Sequence, residues 1–156
     1  MIFLKVICGF GSIVDVHHCY KELCLSKYRA FRYISRWYKN IMRNRYSSYI
    51  SPHAVLDPNI KFPHPTGIVI GDGVVCADCT IYQNVTLGAK KRFIDPSNRE
   101  STYPKIGTGT VIYASAVIVG GISIGSNSIV GANSFVDFSI PESTTVVGSP
   151  GKIISG

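Results

Sequence analysis

The chain has 156 residues, of which 46% are hydrophobic and 16% are charged, and its formal net charge is +7 at neutral pH. This length suits one domain, and the composition excludes an intrinsically disordered chain. No apolar run reaches the roughly 20 residues that cross a bilayer, and residues 1–16 lack the basic start and cleavage site of a signal peptide, so we expect a cytoplasmic protein.

Residues 1–49 are predicted to form an N-terminal helical segment that carries most of the positive charge. Two sets of residues recur there every three or four positions, one basic and one apolar: Arg29, Arg32, Arg36, Lys39 and Arg43, and Ala30, Ile34, Trp37 and Ile41. This pattern predicts an amphipathic basic helix over residues 27–45. Its apolar side either packs on the rest of the protein, with the cations in solvent, or the helix touches an anionic membrane at the inner face. Nucleic acid is not expected as a partner, because no recognition motif accompanies the charge.

Residues 50–156 are predicted to form a second unit with a period of six. Aliphatic residues return at every sixth position along its second half: Ile106, Ile112, Ile118, Ile124, Val130 and Val136. Ile70, Cys76 and Tyr82 continue this frame upstream, so they are expected to face inward. A helix repeats every three or four residues and a strand every two, so a period of six predicts an all-β fold, a parallel β-helix of hexapeptide repeats.

The regular repeat breaks at two places, and breaks of this kind are candidate functional sites. The first contains His64, which stands between Pro63 and Pro65. The second is a polar, basic and Pro-containing stretch that predicts an extended loop at residues 88–105, and such loops in repeat proteins frequently carry the binding face.

Cys76 and Cys79 form a CxxC pair, a spacing found in redox and zinc sites. Cys76 occupies a predicted inward position, and no second pair of metal ligands follows. We therefore interpret both as small buried hydrophobic residues in a reducing compartment, and we expect no metal.

The repeat and four motifs together resemble the hexapeptide-repeat acyltransferases, in particular the serine acetyltransferase branch. These motifs are HPTGIVIG (residues 64–71), VTLG (85–88), YPKIG (103–107) and GSPGKI (148–153). The resemblance implies a left-handed β-helix, a homotrimer with active sites between subunits, and acetyl-CoA as co-substrate with no bound cofactor. The short members that act on sugars in capsule, exopolysaccharide or O-antigen synthesis look most similar.

Acetyl transfer to a hydroxyl requires a general base and donors to the developing oxyanion. Histidine suits the first role because it titrates near neutral pH, and His64 matches the catalytic histidine of the family's motif. By the same resemblance, the donor groove maps onto Gly88, Ala89, Ala114 and Ala132, and Lys152 takes the place of a basic residue near the coenzyme's phosphate. Asp57, Asp72 or a backbone carbonyl remain the candidates for orienting His64.

Departures from the serine acetyltransferase pattern determine the expected acceptor. Pro63 and Tyr49 replace two carboxylates of that branch, and Thr102 and Tyr103 replace an Arg-His pair. A serine pocket needs paired charges, whereas neutral sugar hydroxyls suit Tyr49, Asn84 and Tyr103. We therefore expect direct acetyl transfer to a saccharide, either free or linked to a lipid carrier. Serine is the alternative acceptor, and an inactive trimeric scaffold is the second alternative.

Overall fold

A computed structural model describes residues 11–75, 77–90 and 102–155. Within these ranges, two helices precede the β structure: α1 at Ile13–Cys24 and α2 at Arg29–Tyr46. Helix α1 begins with a capping box, in which Ser12 accepts from the backbone N–H of Asp15 while the Asp15 carboxylate accepts from Ser12. Helix α2 ends at Tyr46, and its C-cap residue Ser47 adopts a left-handed conformation with φ of 49°. Among the described residues, no helix has both the length and the apolar character needed to cross a membrane.

The predicted basic helix is present, but it is rotated relative to the expected packing. Helix α2 buries Ser35, Tyr38, Met42 and Tyr46 against its neighbours, whereas Ile34 and Trp37 of the predicted apolar stripe are exposed. Packing against α1 and β1 decides this orientation, since an aromatic residue such as Tyr38 fills the space between the two helices.

Fourteen short strands follow within the described residues, and they form three sheets. Sheet A contains β1 (Tyr49–Ile50), β3 (Val69–Ile70), β6 (Thr86–Gly88), β9 (Val117–Val119) and β12 (Phe135–Val136). Sheet B contains β2 (Val55–Leu56), β4 (Val74–Val75), β7 (Lys105–Ile106) and β10 (Ser123–Ile124). Sheet C contains β5 (Thr80–Ile81), β8 (Val111–Ile112), β11 (Ile129–Val130), β13 (Thr145–Val147) and β14 (Lys152–Ser155).

Each coil of the chain visits sheets A, B and C in turn, and successive coils pair in parallel register. In sheet A the paired residues Ile50, Ile70, Leu87, Ile118 and Val136 are all fully buried, so they stack into one inward column. Burial of these stacked aliphatic side chains stabilises the coil by about 1.5–3 kcal/mol for each residue. The predicted parallel β-helix is confirmed.

The inward frame upstream of the loop differs from the prediction by one residue. Ile81 is fully buried, whereas Tyr82 is only half-buried and lies at the corner that follows β5. The inward residues Ile70 and Val75 are five positions apart, because the corner that contains Gly71 and Gly73 closes with one residue fewer. Cys79 is buried and donates to the carbonyl oxygen of Gly107, while Cys76 lies outside the described residues.

The three sheets meet at three corners, two of which concern the site. We call the turns that lead from sheet C to sheet A the C–A corner, and the turns from sheet A to sheet B the A–B corner. At the C–A corner the turns stack directly, because each backbone N–H donates to a carbonyl oxygen of the preceding coil. These bonds join Asn84 to Thr66, Ser115 to Gln83, and Asn133 to Ala114. Positive φ values at Gly67, Asn84, Ser115 and Asn133 form the tight bends of this column.

Candidate active site

His64 lies at the C–A corner of the first coil, between the bridge that Lys61 makes to Thr80 and the start of β3. Its side chain is exposed, and the flanking prolines restrict the backbone on both sides. The His64 ring is 6.3 Å from the ring centroid of Tyr82, and Tyr82 stacks on Tyr113 with a centroid distance of 5.3 Å. The exposed imidazole is thus accessible to a substrate and bordered by an aromatic pair.

Three of the predicted site residues share this corner with His64. Asn84 lies in the second coil, Ala114 in the third and Ala132 in the fourth. The Asn84 side chain lies over Gly67, where an added Cβ would be only 2.1 Å from its Oδ1 atom. In the last coil, the backbone N–H of Phe135 donates to the carbonyl oxygen of Gly148, and the N–H of Gly151 donates to the carbonyl oxygen of Phe135. The exposed Lys152 follows at the start of β14. The C–A corner therefore aligns His64 at one end with Lys152 at the other.

The remaining predicted site residues lie elsewhere on the coil. Gly88 is the last residue of β6 in sheet A, and Ala89 leads into the A–B corner, where the ring of Tyr103 lies against Gly71. Tyr49 is on the outer face of sheet A and is 44% exposed. Within one chain, the predicted residues therefore lie at two different corners and on one sheet face.

The two carboxylates considered for orienting His64 also lie at other corners of the chain. Asp57 accepts from the backbone N–H of Asn59 after sheet B, and Asp72 accepts from the hydroxyl of Ser51 at the A–B corner. Among the described residues, no cluster of three or more His, Cys, Asp or Glu side chains could hold a metal ion.

The described start of the predicted loop is anchored by an ion pair. Lys90 Nζ is 2.8 Å from the carboxylate of Asp137, and its aliphatic chain packs over Gly120. The Lys90 ammonium group, which would otherwise suit a phosphate, is thus paired with a carboxylate. Residues 91–101, which include Lys91 and Arg92, lie outside the described residues.

Sequence reasoning missed Tyr82, Tyr113 and Gln83 as residues of the corner. A constant period of six from Ile70 predicts that Tyr82 faces inward. Because Ile70 and Val75 are only five positions apart, the inward position falls on Ile81 and Tyr82 lies farther out. Gln83 Oε1 is buried and has no hydrogen-bond partner within the part of the chain that the structure describes. An acceptor of this kind is open to a donor from outside the described residues, such as a water or a ligand N–H group.

Known proteins resemble this chain in both sequence and fold. The family model for the bacterial transferase hexapeptide (six repeats) matches residues 103–137. Serine acetyltransferase of Staphylococcus aureus is 37% identical over 144 residues, which cover 92% of this chain and 62% of that protein. The serine acetyltransferase of Neisseria gonorrhoeae, solved also in complex with serine, superposes with a TM-score of 0.81 at 33% identity, over 92% of this chain and 52% of that one.

A further serine acetyltransferase, solved in complex with CoA, has a TM-score of 0.76 and 30% identity, and the match covers 91% of this chain and 55% of that chain. This chain therefore spans between about half and three fifths of the length of these relatives. The predicted left-handed hexapeptide β-helix is confirmed by the fold that they share. The chain belongs to the hexapeptide-repeat transferases and, within them, to the serine acetyltransferase-like branch.

The prediction of a saccharide acceptor, and with it a role in polysaccharide synthesis, is wrong. The relatives and solved structures described above are serine acetyltransferases that match most of the chain, which favours the alternative acceptor. The prediction relied on a few replaced charges and on three polar residues, Tyr49, Asn84 and Tyr103. These three lie on a sheet face and on two different corners, so within one chain they do not assemble into a sugar pocket.

Proposed function

We propose that the protein is an acetyl-CoA-dependent serine O-acetyltransferase in which His64 is the general base. The observation that carries this proposal is the likeness, over 91–92% of the chain, to serine acetyltransferases that include one bound to serine and one bound to CoA. The accessible position of His64 in a stiff corner turn supports it.

In this mechanism Nε2 or Nδ1 of His64 accepts the proton of the serine hydroxyl as its oxygen attacks the thioester carbonyl. The carbon–sulfur bond then breaks, and the imidazolium returns its proton to the sulfur of the departing CoA. Backbone N–H groups at the small residues of the site, such as Gly88 and Ala89, stabilise the oxyanion. Transfer is direct, because no covalent acyl-enzyme is needed when base, hydroxyl and thioester meet at one place.

The C–A corner offers a track for the donor. Successive coils are about 4.8 Å apart, so Ala132 lies about 14 Å along the axis from His64, and Lys152 lies farther in the same direction. Small side chains at Ala114 and Ala132 permit an extended pantetheine arm to lie close to the backbone. The unpaired Gln83 Oε1 suits one of its amide N–H groups, and Lys152 suits a phosphate at the far end.

We also propose that the site is completed in a homotrimer. The A–B corner and the C–A corner cannot form one pocket within a single coil cross-section. The A–B corner contains Gly88, Ala89, Tyr103 and Asp72, whereas the C–A corner contains His64. Three copies packed around an axis bring one corner of each subunit to the other corner of its neighbour. The Asp72 carboxylate then suits the ammonium group of serine. The cytoplasmic location remains a prediction. The membrane contact of α2 also remains a prediction, and the exposed cations of that helix are compatible with it.

A thiol-release assay with acetyl-CoA and serine tests the activity. We expect turnover with serine, and a fall in kcat of about 10²–10⁴-fold in His64→Ala, the range for loss of a general base. His18→Ala is the matched control, because His18 is also exposed but lies on helix α1, where it pairs with Glu22, and belongs to neither corner of the coil. It should keep activity within about twofold.

Two results contradict the proposal in different ways. Unchanged kcat in His64→Ala would show that His64 is not the general base. Absence of turnover with serine, in a protein that still binds CoA, would show that serine is not the acceptor.

A further inference from the structure

The first half of α2 borders a cationic cavity that the proposed reaction does not use. Its volume is about 440 Å³, and its lining includes Tyr20, Arg29, Arg32, Ser35, Arg36 and Lys39. Four of these six residues are cationic, and none is acidic. Because Arg29, Arg32, Arg36 and Lys39 are three or four positions apart, α2 presents all of them along one side.

No carboxylate neutralises this cluster within residues 11–75, 77–90 and 102–155. The ion pairs found there join His18 to Glu22 and Lys90 to Asp137, and neither involves any of these four side chains. Arg36 lies over the Tyr33 ring at 5.2 Å, a contact that leaves the guanidinium donors available. The first turn of α2 also lacks an acidic residue, so the helix dipole adds to the repulsion among the cations. A bound anion relieves both effects.

The remaining residues of this lining are neutral. Tyr20 borders the cavity, and burial raises the pKa of Tyr20 to about 12, so its hydroxyl keeps its proton. Guanidinium groups present paired N–H donors whose spacing matches the oxygens of a phosphate. Three arginines around one cavity favour a phosphate over a carboxylate, because a phosphate offers more acceptor oxygens and more charge.

We propose that this cavity binds a phosphate or diphosphate group, held by Arg29, Arg32, Arg36 and Lys39. The group belongs either to a soluble phosphorylated compound or to an anionic lipid headgroup, and the chemistry of recognition is the same for both. This site is separate from the donor track, since its residues belong to the helical segment and not to the C–A corner.

The test uses the full-length protein saturated with CoA, so that the donor site is already filled. Inorganic pyrophosphate is titrated by calorimetry at constant ionic strength, and sedimentation measures binding to phosphatidylcholine vesicles with and without phosphatidylglycerol. We expect Arg36→Glu to weaken binding of the anion by about tenfold or more. Pyrophosphate should also slow alkylation of Cys24, a free cysteine that lines the cavity, as followed by mass spectrometry.

Arg45→Glu is the matched control. Arg45 lies on the same helix and also stacks on a neighbouring tyrosine, at 5.4 Å from the Tyr46 ring, but it does not line the cavity. It should bind pyrophosphate as the wild type does. Arg32→Gln is a milder change in the same lining, and it covers the case in which Arg36→Glu perturbs the helix. It should still weaken pyrophosphate binding, but by less than Arg36→Glu.

Binding of pyrophosphate that Arg36→Glu abolishes assigns the site to soluble phosphates. Binding to phosphatidylglycerol vesicles alone, again abolished in Arg36→Glu, assigns it to a lipid headgroup. Equal losses in Arg36→Glu and Arg45→Glu overturn the proposal, because they reflect only the general charge of α2. Absence of binding to either probe overturns it as well.

Discussion

His17 is a buried histidine at the contact between α1 and the first coil. Its Nε2 donates to the carbonyl oxygen of Ser51 at 2.8 Å, and Lys21 bonds to Ala54 one turn later. Burial lowers the pKa of His17 to about 4, because the charged ring is poorly solvated there. Neutral His17 thus joins the helical segment to the β-helix.

This shift predicts a loss of stability in acid. Between pH 6.5 and about 4 the unfolded chain binds a proton at His17 that the folded chain excludes, so the free energy of unfolding falls as pH falls. The full effect is about 3 kcal/mol, and it is absent above pH 6.5. In His17→Gln, which keeps a donor for Ser51, the fall in unfolding free energy should be smaller by about 2 kcal/mol between about pH 7.5 and about pH 5.

Urea unfolding at a fixed protein concentration measures this difference. His18→Gln is the control, because His18 is the adjacent residue but is exposed and paired with Glu22. It should retain the acid dependence of the wild type. An acid dependence that is the same in His17→Gln and the wild type would show that His17 does not account for it.

At the scale of elements, the contact between Gly71 and Tyr103 joins the end of the long loop to the second coil. A Cβ atom at residue 71 would lie 2.1 Å from Cε1 of the Tyr103 ring, so the ring must move. We expect Gly71→Ala to lower the free energy of unfolding by about 1–3 kcal/mol. Tyr103→Ala added to Gly71→Ala should restore part of that loss, since it removes the clash.

A double-mutant cycle measures the coupling between these two positions, which we expect to be about 1 kcal/mol or more. Gly88→Ala is the control, because a Cβ there meets only methyl groups of Val119 and Thr86 at 3.7 and 3.8 Å. Additive effects of Gly71→Ala and Tyr103→Ala would contradict the contact.

At the scale of the whole molecule, the proposed trimer predicts complementation between two inactive variants. His64→Ala removes the base at the C–A corner, and Ala89→Trp blocks the A–B corner. If each site uses one corner from each of two subunits, an equal mixture of the variants contains intact sites at about a quarter of its interfaces. Activity of about that fraction should appear after the subunits are mixed by refolding.

Each variant alone supplies the control, and a native mass spectrum verifies that mixed trimers form. Mixed trimers without activity would mean that both corners serve a site in the same chain. A mass that corresponds to a single chain would exclude the trimer itself.

The architecture was predictable because the period of six is a local property of the sequence. Residues such as Ile112 and Ile118 must face inward wherever the chain coils, since water exposure of each is unfavourable. His64 was predicted as the base because a polar residue between two prolines interrupts the pattern and because it matches the histidine of the family's motif. The position of Tyr82 was not, since one residue is absent at the Gly71 corner and the frame shifts by one.

The sequence by itself determined the β-helix, the basic helix and the candidate base, because periodicity, charge spacing and proline are read along the chain. Tertiary structure alone decided which face of α2 is buried, how the predicted site residues divide between two corners and a sheet face, and that four cations line one cavity together with Tyr20. These outcomes depend on packing between segments that are distant in sequence. A side chain such as Tyr38 becomes buried or exposed only when the partner surface is present to cover it.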